Sequence, residues 1–225
     1  MKTYTYVLRT CDKDLRASYN DFQYPVSGIV KCPDWDPKPE CGNGLHGLAR
    51  GEGDVSLLSA SADASWLVIK VLDKNLIKID KSKVKFSRGR VVFVGARGDA
   101  ANYIARRHPS AAVCYATITA GNLGTATAGY GGTANAGKEG TATAGKAGTA
   151  TAGYGGTATA GEGGTATAGD WGRATAGEGG TIQLRYFNET TKRYRTVTGY
   201  VGEDGIEAGQ TYALDDQHKF IGATV

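Results

Sequence analysis

From Ala116 to Gly179 the chain repeats every eight residues: ATITAGNL, GTATAGYG, GTANAGKE, GTATAGKA, GTATAGYG, GTATAGEG, GTATAGDW and GRATAGEG. A fixed short period requires an array in which each unit stacks on the next, because one unit alone cannot bury its apolar side. Within each octad the core Thr-Ala-Thr-Ala alternates with period two, so in a strand both threonines face one way and both alanines the other. Thr is a good strand former, whereas the flanking glycines and the variable polar pair, such as Lys138-Glu139, are turn chemistry. Short strands and short turns in this rhythm predict a narrow parallel β-solenoid with coils about 4.8 Å apart.

Volume and polarity assign the faces. Stacked alanines fill a thin interior at close packing, whereas a buried threonine ladder would need a hydroxyl partner on every rung. Two octads per coil then place Thr117/Thr119, Thr133/Asn135, Thr149/Thr151 and Thr165/Thr167 on one flat face. The other face carries Thr125/Thr127, Thr141/Thr143, Thr157/Thr159 and Arg173/Thr175. Tyr130, Tyr154 and Trp171 stand in otherwise small-residue turns, Tyr130 and Tyr154 on different sides of the coil. Aromatics on a rigid surface are common interface anchors. Together with the threonine faces they form the expected interaction surface, for a protein partner or for self-association.

The segment AGYGGTANAGKEGTAT resembles the 16-residue AGYGSTxTA repeat of bacterial ice-nucleation proteins. Flat TxT ladders are also how several β-solenoid antifreeze proteins resemble an ice lattice. The resemblance implies ice binding through the ladders. It departs from the nucleation proteins in lacking their regular tyrosine ladder and their dozens of coils.

Residues 1–115 differ in character. They carry 18 basic and 12 acidic side chains, and the densest stretch, Lys74 to Arg90, has seven basic residues against Asp73 and Asp80. No aromatic side chains alternate with those charges as a nucleic-acid stacking platform requires, so the stretch reads as a solvated strand face and nucleic acid is not an expected partner. Strands are expected over Thr5 to Arg9, Trp66 to Leu72, Val84 to Phe86 and Val91 to Val94, with a helix from Gly98 to His108, giving an α+β head. The intervening PDWDPKPECGNGLHG, dense in Pro and Gly, reads as a rigid turn region holding Cys41 and His46.

Within it, Cys41-Gly42-Asn43-Gly44-Leu45-His46-Gly47 resembles the C-x-x-G-[FL]-H segment of an uncharacterised domain family common in phage and prophage proteins, in which such a domain precedes octapeptide repeats. That resemblance implies the domain order and a phage origin, with no activity attached. A looser similarity is to the ADP-ribosyltransferase fold, which implies a nucleotide-binding pocket with Arg9 on its early strand and Gly44-Leu45-His46 at its turn. The only glutamates before the repeats are Glu40 and Glu52, so the carboxylate pattern of a transferase is missing and no catalytic residue is assigned.

The four cysteines form no CxxC pair and the three histidines are scattered, so no metal site and no cofactor are expected. No apolar run approaches the roughly 20 residues of a membrane helix, and the first residues lack a signal-peptide core, so a cytoplasmic protein with reduced thiols is expected. After Gly179, TIQLRYFNETTKRYRTVTGYV reads as two alternating strands around Asn188 to Thr191, a hairpin, followed by a further pair of short strands. The expected architecture is an α+β N-terminal domain (residues 1–115), a solenoid (116–179) and a β-hairpin cap (180–225). The expected function is a non-enzymatic structural or protein-binding module, with ice binding through the TxT ladders as the alternative.

Overall fold

The computed structural model describes residues 2–223. The chain divides between Cys114 and Tyr115 into two compact units. The first is built on seven strands: β1 (Tyr4–Cys11), β2 (Gly28–Lys31), β3 (Leu45–Ala49), β4 (Ser65–Leu72), β5 (Leu76–Lys78), β6 (Lys83–Phe86) and β7 (Arg88–Gly95), with one helix, α1 (Arg97–Ala105). They pair antiparallel in the order β2-β7-β4-β1-β3-β6-β5.

The apolar run of β4 suits its central place, buried on both faces. Leu67, Ile69 and Val71 join Val7, Val84, Phe86 and Val91 in one cluster. On the neighbouring positions Val68 lies opposite Leu8, and Ala100, Ala101 and Ile104 of α1 are buried as well. Asp99 sits in the first turn of α1, where a negative charge favours the helix N-terminus.

β2, β3 and β5 go beyond the strands expected from the sequence, and the segment expected to be a rigid turn ends instead in a strand: Leu45, His46 and Gly47 belong to β3, paired with β6. Glycine density suggested a turn, but Gly47 serves a close approach between strands. A Cβ there would fall 2.5 Å from the Leu8 carbonyl oxygen and 2.5 Å from a Val7 methyl carbon.

The second unit opens with eight four-residue strands: β8 (Thr117–Ala120), β9 (Thr125–Ala128), β10 (Thr133–Ala136), β11 (Thr141–Ala144), β12 (Thr149–Ala152), β13 (Thr157–Ala160), β14 (Thr165–Ala168) and β15 (Arg173–Ala176). Longer or more varied strands follow: β16 (Thr181–Asn188), β17 (Arg193–Tyr200), β18 (Thr211–Leu214) and β19 (Phe220–Gly222). β8, β10, β12, β14 and β16 form one parallel sheet, and β9, β11, β13 and β15 the other. Thr133 pairs with Thr149 and Ala142 with Ala158, a step of one 16-residue coil. The result is a β-solenoid of about four turns whose interior is a single alanine cluster.

In the seven octads after the first, two glycines bracket the strand, and the coils touch there. At Gly140 a Cβ would lie 2.8 Å from the Ala136 Cβ and 2.8 Å from the carbonyl oxygen of Gly124 one coil below. The turns stack as the strands do, with Leu123 N donating to Lys138 O at 2.8 Å and Glu139 N to Tyr154 O at 2.7 Å.

The octads end at Gly179, but the parallel ladder does not. β16 adds a fifth rung, with Thr181 beside Thr165, Ile182 beside Ala166 and Leu184 beside Ala168. β17 then pairs antiparallel with β16, β18 with β15, and β19 with β18. Ile182, Leu184, Ile206 and Tyr212 close the alanine interior with larger side chains.

Candidate functional site

The outward positions of the sheet that begins with β8 form two columns. The first is threonine on every rung: Thr117, Thr133, Thr149, Thr165 and Thr181. The second reads Thr119, Asn135, Thr151, Thr167 and Gln183, and Thr167 Oγ1 donates to Gln183 Oε1 at 3.1 Å. Thr117, Thr119 and Thr149 are exposed, and the other threonines of this face are half-buried by their neighbours on adjacent rungs.

On the opposite sheet the first column runs Thr125, Thr141, Thr157 and then Arg173, and the second runs Thr127, Thr143, Thr159 and Thr175. That second column ends against β18, where Thr175 and Thr211 share a hydroxyl hydrogen bond of 2.8 Å. Each sheet thus has one column that is threonine on every rung; the one on the β8 sheet is the longer as a parallel ladder, with five rungs against four. Backbone geometry spaces that sheet's rungs by about 4.8 Å and its two columns by roughly 7 Å, twice the strand rise.

The turn aromatics do not behave alike. Tyr130 is half-buried and packs edge-on against Tyr115 at 5.7 Å between ring centres. Tyr154 and Trp171 lie on the other edge with Leu123, and their exposures are 48%, 74% and 76% respectively. Lys138 Nζ sits 5.4 Å from the centre of the Tyr154 ring, and Lys146 reaches Glu162 of the next coil at 2.7 Å.

In the N-terminal unit the structure brings Arg9 and His46 together. Arg9 Nη1 donates to the His46 carbonyl at 2.9 Å and its guanidinium lies over the Tyr24 ring at 4.8 Å. Burial, then the positive charges of Lys83, Arg9 and Lys85, push the His46 imidazole down to about 4. Lys83 and Lys85 lie in the stretch from Lys74 to Arg90 expected to be a solvated strand face. Lys85 is instead 1% exposed, its Nζ donating to the Glu40 carbonyl at 3.2 Å and lying over the Trp35 ring. The signal was the strict alternation of Lys83 and Lys85 with Val84 and Phe86, but alternation alone does not say which face is covered. Among the described residues no group of His, Cys, Asp or Glu is placed to hold a metal, and no helix is long and apolar enough to cross a membrane.

Residues 5–106 match the family described as Domain of unknown function (DUF7666). The curated proteins similar to the chain are ice-nucleation proteins. That of Pseudomonas fluorescens is 39% identical over 99 residues, 44% of this chain and 8% of its own length. That of Xanthomonas campestris pv. translucens is 41% identical over 103 residues, 45% of this chain and 6% of its own. Ice nucleation protein InaU of Pantoea ananas is 37% identical over 109 residues, 48% of this chain and 10% of its own. The chain thus spans no more than a tenth of the length of these relatives. No solved structure matches it.

Proposed function

We propose that the solenoid binds ice through the threonine columns of the β8 sheet. The observation that carries this reading is the unbroken, in-register column Thr117, Thr133, Thr149, Thr165 and Thr181. A rigid sheet holds those hydroxyls and methyls in a fixed two-dimensional array, so water ordered over them incurs no further loss of side-chain freedom. The ice-nucleation relatives support the reading through their repeats. Five rungs span about 19 Å at the strand spacing, a small template, which favours attachment to existing ice over nucleation of new ice.

Thermal hysteresis and ice shaping at millimolar protein test the proposal. Thr149→Lys, in the middle of the unbroken column, is expected to abolish the activity, and Thr141→Lys on the opposite face to leave most of it. Absence of hysteresis in the native chain would end the ice reading.

A second reading, association between copies of this chain, rests on Trp171 and Leu123, both largely exposed on one turn edge of the coil. Sedimentation of the native chain beside Trp171→Ser tests it. A native monomer at high micromolar concentration would remove it.

A further inference from the structure

β1 pairs with β4 along its whole length, from Tyr4 to Cys11, but with β3 only at Val7 and Leu8. Beyond Leu8 the two strands part, and a cleft of about 950 Å³ lies beside the split, with Arg9, His46 and Lys83 in its lining. A smaller pocket of about 100 Å³, holding Tyr19, Phe22 and Tyr24, lies against the same two residues Arg9 and His46. Arg9 and His46, with Ala17 and Tyr19, are therefore the wall shared by both spaces.

The cleft's lining carries Arg9, Lys13, Arg16 and Lys83 against Asp12, Asp21 and Asp63. Among the described residues neither Arg9 nor Lys83 of this lining forms an ion pair with a carboxylate, and neither does Lys85, the register partner of His46 outside the lining. Arg9 spends one nitrogen on the His46 carbonyl, Lys83 Nζ donates to Cys41 Sγ at 3.0 Å, and Lys85 donates to the Glu40 carbonyl. The lining carboxylate nearest in sequence, Asp12, accepts the backbone N–H groups of Asp14 and Arg16. Arg9 Nε and His46 Nε2 are buried and have no hydrogen-bond partner. A buried polar nitrogen without a partner is costly, and the half-buried Arg9 and Lys83 keep a charge that no carboxylate neutralises by contact.

We infer that the cleft between β1 and β3 is a binding site for a small oxyanion, a phosphate-bearing molecule, held by Arg9 and Lys83, with His46 Nε2 accepting from a hydroxyl of that molecule. Guanidinium and ammonium groups suit phosphate oxygens, the first as a planar fork and the second as a mobile point charge. The neutral imidazole already bonds the Gly44 backbone. With its one N–H so spent, the orphaned Nε2 is an acceptor, which fits a protonated phosphate oxygen or another ligand hydroxyl and not a bare oxyanion oxygen. The adjoining aromatic pocket gives an attached ring or apolar group a place to lie.

Isothermal titration of the full chain with pyrophosphate and with inorganic phosphate tests the site. The expected result is saturable binding of pyrophosphate near one per chain, weakened at least tenfold in Lys83→Gln and unchanged in Lys219→Gln. Unaltered melting of the apo Lys83→Gln protein will show that the loss is not misfolding, and Thr149→Lys is expected to bind as the native chain does. No saturable binding of either anion, or equal weakening in Lys83→Gln and Lys219→Gln, would overturn the inference.

Discussion

At Ala142 and its equivalents the side chain has no slack. Ala142 is fully buried between coils and sits beside Ala126 and Ala158 in the ladder. A leucine there must displace neighbours on both rungs, and overpacking a close-packed interior costs about 1–3 kcal/mol. Ala142→Leu is expected to lower the thermal midpoint clearly, while Thr149→Ser, on the outward side, changes it little. An unchanged midpoint for Ala142→Leu would mean that the alanines face out. His46 gives the residue scale its pH dependence. Its folded value of about 4 lies below the usual 6.5, so between those values the unfolded chain binds a proton that the folded chain refuses. Stability therefore rises with pH across that window and falls as pH drops from about 6.5 to about 4. His108, also held down by burial, acts in the same sense. Melting midpoints between pH 7 and 4 are expected to fall less steeply in His46→Gln than in the native chain, and equal slopes would refute the assignment.

At the scale of the element, the same inward position asks for different residues depending on the rung. Ala168 of β14 and Leu184 of β16 are direct neighbours on the parallel ladder. In the array an alanine meets the facing sheet, whereas at the last rung Leu184 packs with Ile206 and Tyr212, which close the end. Leu184→Ala should cost about 2–5 kcal/mol as a cavity, and Ala168→Leu should also destabilise; urea unfolding of the two variants checks this reciprocity. The solenoid strands were legible because an eight-residue period with Thr-Ala alternation leaves few ways to fold. β16 was harder to place, because Thr181-Ile182-Gln183-Leu184 keeps the alternation while abandoning the alanine. In the first unit, β3 was hidden by its glycines: Gly47 exists to let two backbones touch, and the composition of a strand crossing is the same as that of a turn. The meeting of Arg9 with the His46 carbonyl and the burial of Lys85 depend on which strands become neighbours, which β1 and β6 do not announce in their residues.

For the whole molecule, activity on ice should grow with the length of the ladder while the fold stays the same. Each coil pairs only with the coils sixteen residues before and after it, so duplicating residues 140–155 adds a rung to both sheets without disturbing either end. The extended protein is expected to fold cooperatively and to show greater hysteresis at equal molar concentration, and a loss of folded structure on insertion would contradict the nearest-neighbour picture.

That repetition also bears on how such a gene can change. Near-identical tandem segments invite slippage during replication and unequal crossing-over, so chain length is a quantity that descent can adjust in single events. The steps are not equivalent, however. A gain or loss of a full coil keeps every later strand in its original sheet, whereas a change of one octad sends each later strand to the opposite sheet and carries β17 and β18 with it. Alleles differing by whole coils should therefore keep the five-rung threonine column on one side, and those differing by half a coil should divide it between two sides.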